Sequence, residues 1–163
     1  MNLLLLFAGV LVLLGSALVG GVFFAFSSFV MKALERVPSP EGIAAMQSIN
    51  IVVVNPSFLG AFIGTAGLSL GVAGLAVLSW GHPSSAYFLA GAICYVAGTF
   101  LVTIVGNIPL NDQLAAVCAS DSAAADIWER YLDQWMMWNH IRTFAAMVAA
   151  LLYTLALMQD RAI

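Results

Sequence analysis

Residues 2–31 read NLLLLFAGVLVLLGSALVGGVFFAFSSFVM, a run without a single charged side chain. A helix needs about 20 mostly apolar residues to cross the hydrocarbon core of a bilayer, and this run exceeds that length. A secretory leader would open with a basic segment and stop after a shorter apolar core, so the run reads as a retained spanning helix. Working outward, three further apolar runs follow: Ser57 to Trp80, Tyr87 to Gly106, and Trp138 to Leu157. The expectation is an all-α fold, an integral membrane up-down four-helix bundle forming one domain over 1–163, with spans near 2–31, 57–80, 87–106 and 138–157.

Composition points the same way. Of the 163 residues, 63% are hydrophobic and only 8% charged, and the mean hydropathy is +1.02. Soluble domains carry roughly 25% charged residues. This chain has too little charge to cover a water-facing surface, so the lipid bilayer is its first expected partner. A net charge of -3 with no basic cluster excludes nucleic acid. Cys94 and Cys118 show no paired spacing, which argues against a disulfide framework or a thiolate metal site.

Connection lengths shape the bundle. Gly81-His82-Pro83-Ser84 is a turn, making the second and third spans antiparallel neighbours. Ser39 to Asn50 is a more polar approach to the second span. Asn107 to Gln134 is a longer polar connection, whose part from Asp126 to Tyr131 forms a short extra helix leading into the last span. Lys32, Arg36, Arg130 and Arg142 border the two longer connections, with Arg161 on the other side. The positive-inside bias then puts those connections in the cytoplasm and both termini outside. Gly60, Gly64, Gly67, Gly71 and Gly74 fall on one helix face, a stripe expected to let another helix approach closely, with Gly21, Ala25 and Ser28 as its counterpart. A short four-helix chain of this kind is also expected to form homo-oligomers.

Polar groups in lipid are costly, so they mark where function is sought. Here they gather at one end: Ser27, Ser28 and Lys32 leaving the first span, Asn50 and Asn55-Pro56 entering the second, Asn107 and Asn111 leaving the third, Asn139, His140 and Arg142 entering the fourth. Each has a plain alternative. Asn55-Pro56 also reads as a helix cap and first turn, and Trp128, Tyr131, Trp135 and Trp138 as an interfacial aromatic belt. His140 and Arg142 are two residues apart, hence about 160° apart on a regular helix, and do not share a pocket unless the helix is irregular. With one histidine at this end and no carboxylate in the spans, a protein-held metal is not expected. What remains is a base beside amide and guanidinium donors, a set suited to deprotonating a hydrophobic carbon acid and stabilising its oxyanion.

Several blocks resemble the anthrone oxygenase-like family of small membrane proteins. They are Gly21 to Met31, Met46 to Asn50 with Asn55-Pro56 and Gly64-Thr65-Ala66, Asn107-Ile108-Pro109-Leu110-Asn111 with Leu114-Ala115, and Trp135 with Trp138-Asn139-His140-Ile141-Arg142-Thr143. The resemblance implies oxidation of a hydrophobic, anthrone-type aromatic by molecular oxygen without a cofactor; the expected location is a bacterial inner membrane, with the polar end cytoplasmic by the positive-inside bias. It makes His140 the base, with Asn107, Asn111, Asn139 and Arg142 as oxyanion and substrate donors. Phe23, Phe26, Trp135 and Trp138 would stack the rings, with Ser27, Asn50 and Asn55 completing the substrate site. Two competing readings are a non-catalytic membrane binding or assembly protein, and a haem or quinone redox protein.

Overall fold

The computed structural model describes residues 3–121 and 124–159, and all the regular structure among them is helical. Asn2 and Arg161 lie outside the described residues. Four helices are long and apolar enough to cross a membrane: α1 (Leu3–Glu35), α3 (Pro56–Leu78), α4 (Ser85–Ala115) and α5 (Ala124–Gln159). A short helix, α2 (Ser39–Val52), occupies the approach to α3. In the bundle α1 packs against α5 and α3, and α4 packs against the same two helices. The four-helix membrane architecture is therefore as expected. The outer faces carry Leu11, Leu14 and Leu18 at 53–60% exposure, a surface suited to lipid rather than water.

Three of the helices outrun a bilayer. At 33, 31 and 36 residues, α1, α4 and α5 exceed the roughly 20 residues that span hydrocarbon. α1 continues through Glu35 and α4 through Ala115, so both overrun the ends read at 31 and 106. The helical stretch from Asp126 is the beginning of α5 and enters the last span without a break. The overhangs and α2 make a cap on one end of the bundle, with its own core of Met31, Ile43, Met46, Leu110, Leu114, Trp128, Tyr131 and Trp135. Gln47 on α2 donates from Nε2 to the carbonyls of Leu114 (2.8 Å) and Val117 (2.9 Å), satisfying the exposed end of α4.

Two packing expectations are corrected. The stripe from Gly60 to Gly74 faces outward, and a Cβ at any of its five positions would meet nothing within 4 Å. Gly21, on its proposed counterpart, likewise has open space. The opposite face of α3, with Phe62, Thr65, Ala66, Ser69, Val72 and Ala76, is the buried one, because filling the bundle interior takes side-chain volume. The close approaches lie elsewhere. A Cβ at Gly15 would collide with Thr65 Oγ1, one at Gly98 would stand 2.6 Å from Ala145 Cβ, and one at Gly106 would stand 2.5 Å from the Trp138 ring. The aromatic belt is corrected too. Trp128, Tyr131 and Trp135 are 3–4% exposed and stack in sequence inside the cap, centroids 5.5 and 6.3 Å apart.

Candidate functional site

The polar residues meet where cap and bundle join, and the helices there are irregular. α1 widens into a π turn at Phe26–Val30, and α4 into two, Val96–Leu101 and Thr103–Asn107. Such turns often accompany functional sites, because they re-aim side chains and disturb the backbone ladder. Within them lie Phe26, Ser27, Thr99, Thr103 and Asn107. The Thr103 hydroxyl donates back to the Thr99 carbonyl at 2.8 Å, and Thr99 donates to the Arg142 carbonyl at 3.2 Å, tying α4 to α5.

Arg142 is the centre of the arrangement. It is 5% exposed, and its guanidinium carbon lies 3.8 Å from the Phe23 ring centroid and 4.9 Å from that of Trp135. Nε donates to Asn139 Oδ1 at 2.9 Å, and Nη1 to Thr103 Oγ1 at 3.4 Å. None of these partners is acidic. Asn139, fully buried, fixes this geometry from behind, with Nδ2 donating to the Phe23 carbonyl (2.9 Å) and to Ser27 Oγ (2.7 Å).

Beside Arg142 is a cavity of about 170 Å³. Its apolar wall includes Phe23, Phe26, Phe58, Phe62 and Trp135, and its polar groups are Asn50, Thr103, Asn111 and Arg142. Phe58 and Phe62, one turn apart on α3, stack at 5.9 Å. Asn111 Oδ1 accepts from Tyr131 Oη (2.9 Å) and Trp135 Nε1 (2.8 Å), holding the indole in place. Asn50 Nδ2 is buried and makes no hydrogen bond of ordinary length, with the Tyr131 side chain as its long-range polar neighbour. No three His, Cys, Asp or Glu side chains among the described residues gather to hold a metal. The cavity's chemistry is therefore that of amides, a hydroxyl and a guanidinium.

The remaining candidate residues lie outside this cavity. His140 is exposed, on the opposite side of a regular α5 from Arg142, with Nδ1 3.0 Å from Ser27 Oγ. Asn107 is fully buried and donates to the Trp135 carbonyl at 3.2 Å, while its Oδ1 has no partner. Asn55 caps α3, accepting from Ser57 N (3.1 Å) and Phe58 N (3.0 Å). Trp138 packs against Gly106. Ser27 joins the two groups, bonded to Asn139, His140 and Thr143. Sequence reading missed Phe58, Phe62 and Thr103. The available signal was spacing, since Thr99, Thr103, Asn107 and Asn111 recur every four residues and Phe58 and Phe62 form one such pair.

Neither a curated protein nor a solved structure matches the chain. Residues 53–152 match the sequence model described as Anthrone oxygenase. That segment carries Thr103, Asn107, Asn111, Trp135, Asn139, His140 and Arg142, whereas Phe23, Phe26, Ser27 and Asn50 precede it. More than half of the sequence lies within the match, and the chain belongs to the anthrone oxygenase family.

Proposed function

We propose that the protein is a membrane oxygenase that oxidises a hydrophobic, anthrone-type aromatic with molecular oxygen and no cofactor, and that Arg142 holds the substrate as its anion. The observation that carries this reading is a guanidinium on the wall of an aromatic cavity with no carboxylate among its contacts. A buried charge without a counter-ion is costly, and an anionic ligand would relieve that cost. The rings of Phe23, Phe26 and Trp135 suit a flat substrate, and Asn50 and Asn111 supply amide donors.

In the proposed reaction the methylene carbon of the anthrone loses a proton, and the negative charge moves to the carbonyl oxygen facing Arg142. The anion gives electrons to oxygen, and one oxygen atom bonds to the former methylene carbon. Loss of water from that hydroperoxide leaves a second carbonyl. Anthrone and oxygen thus become quinone and water, carbon losing the four electrons that oxygen gains. Neither His140 nor Ser27 lines the cavity, so in this reading the proton leaves the cavity beside Phe26 and reaches His140 through the Ser27 hydroxyl, which bonds to its Nδ1. Asn139 and Asn107 position Arg142 and Trp135 instead of touching substrate. The cavity lies below the roughly 300 Å³ at which drug-sized pockets begin, so a three-ring ligand also occupies its mouth.

The absence of a base on the cavity wall favours a second reading, a non-catalytic binder of an aromatic acid. One experiment separates the two. The purified protein is given a hydroxyanthrone in air, quinone formation is followed with spontaneous autoxidation subtracted, and binding of the product quinone is measured alongside. Oxygen-dependent turnover that survives a chelator and vanishes in Arg142→Met supports the oxygenase. Binding without turnover supports the second reading, and full activity in Arg142→Met refutes the role given to Arg142.

A further inference from the structure

Of the residues that line the cavity, only Val54 and Ile108 are exposed, at 64% and 43%. They mark its mouth, between the corner joining α2 to α3 and the outer part of α4. Both are apolar, and so are their exposed neighbours Ile51 (74%) and Val52 (68%) on α2 and Val105 (65%) on α4. Among the polar residues that line the cavity, Arg142 is the most buried, at 5% exposure.

Exposed apolar surface reaches toward the mouth along three of the long helices. On α1 the cavity residues are Val22, Phe23 and Phe26, and exposed apolar surface continues beyond them to Phe29 (62%). On α5 it extends past Arg142 to Ile141 and Met137, at 43% and 50%. On α4 it includes Ile104, Val105 and Ile108, and the first charged residue is Asp112, one turn further out. An exposed apolar surface continuous with a spanning bundle is covered by lipid.

We infer that the cavity opens sideways into the bilayer and admits its ligand from lipid, through the gap between Val54 and Ile108. This defines the ligand chemically, and for the ligand's identity it rests on the oxidation reading above. It is an aromatic weak acid that crosses the mouth uncharged, as a membrane solute, and becomes an anion only beside Arg142. A permanently charged or highly polar aromatic would meet hydrocarbon first and be refused.

Cysteine accessibility tests the route without requiring turnover. Val54→Cys and Ile108→Cys are placed singly in a chain carrying Cys94→Ala and Cys118→Ser, and reconstituted in phospholipid vesicles with reagent on both sides. A second chain keeping Cys118, which is exposed in the turn after α4, is the water-side reference. Both mouth positions should react with a lipid-soluble maleimide, more slowly than Cys118 because a thiol facing hydrocarbon ionises poorly. With a charged thiosulfonate they should react on the order of a hundredfold more slowly than Cys118, the barrier a fixed charge meets in hydrocarbon. Rapid reaction with the charged reagent would place the mouth in water and overturn the inference. Equal rates with the charged and the lipid-soluble reagent would likewise place the mouth in water and overturn it. Because labelling and quinone formation are separate readouts, either proposal can fail while the other stands. Where turnover is measurable, Val54→Trp should slow it several-fold at low substrate by narrowing the gap.

Discussion

Replacing Arg142 with Met should separate stability from activity. The side chain makes two hydrogen bonds, at 2.9 and 3.4 Å, and lies over two aromatic rings. Hydrogen bonds to a charged group contribute about 1.5–3 kcal/mol each, the 3.4 Å bond at the low end, and a desolvated cation–π contact adds about 2 kcal/mol. Against this stands a desolvation penalty of several kcal/mol for a buried ion. The two sides nearly cancel, and Met retains most of the packing volume. The main residual loss is Asn139 Oδ1 left without its donor, at about 1–3 kcal/mol. Arg142→Met should therefore fold, with a stability loss of about 1–3 kcal/mol read by denaturant titration in detergent. Activity should fall much further, by about 10²–10³-fold in kcat, as when a donor to a developing oxyanion is removed. Arg142→Lys should rescue little, since an ammonium cannot reproduce the planar contacts with Phe23, Trp135 and Asn139. Loss of folding in Arg142→Met, or a stability change far larger than the activity change, would make this arginine a structural keystone and refute the reasoning.

Three further outcomes are expected. Gly106→Ala should destabilise by about 1–3 kcal/mol through overpacking against Trp138, whereas Gly64→Ala, with open space around its Cβ, should be neutral or gain up to about 1 kcal/mol of helix propensity; denaturant midpoints of the two variants decide it. Ser27→Ala and His140→Ala should lower quinone formation to similar extents and combine without adding, because residues acting as a unit are non-additive; a doubly substituted chain slower by the product of the two effects would break the proposed relay. Cys118 lies at the cap end, where exposed Lys32, Arg36 and Arg130 gather, so the positive-inside bias predicts that an impermeant thiol reagent misses it in intact cells and labels it in inverted vesicles.

The architecture was legible because lipid imposes a simple rule, and uncharged runs such as Asn2 to Met31 can hardly be read otherwise. The clustering of Asn50, Asn111, Asn139 and Arg142 at one end followed from topology alone. Helix phase also separated His140 from Arg142 correctly, since α5 is regular there. The glycine stripe misled, because small residues mark a close interface only when the neighbouring helix lies on that side. Position in sequence cannot show whether Phe62 or Gly64 faces inward when both sides of α3 are apolar. Neither did local pattern reveal the π turns in α1 and α4. They accompany contacts of Thr99, Thr103 and Ser27 with partners on α5, which lie 39 to 116 residues away along the chain.

The way Arg142 is held explains why this end of the bundle is built from amides and rings. A carboxylate beside the guanidinium would neutralise it and compete with any anionic ligand. Asn139 and Thr103 orient it through neutral oxygens, while Phe23 and Trp135 offer their ring faces. Such contacts hold a cation without cancelling its charge, which leaves the field directed into the cavity. Preorganised charge of this kind is most effective where water is excluded. The cap meets that need: Trp128, Tyr131 and Trp135 stack above the site, and the Asn111 carbonyl oxygen locks two of those rings. Opening the stack, for instance with Asn111→Leu, removes the acceptor for both Tyr131 and Trp135. It should impair oxidation even though Arg142 keeps every one of its own hydrogen bonds, and a variant that retained full turnover would show that the aromatic stack is not needed to shield the charge.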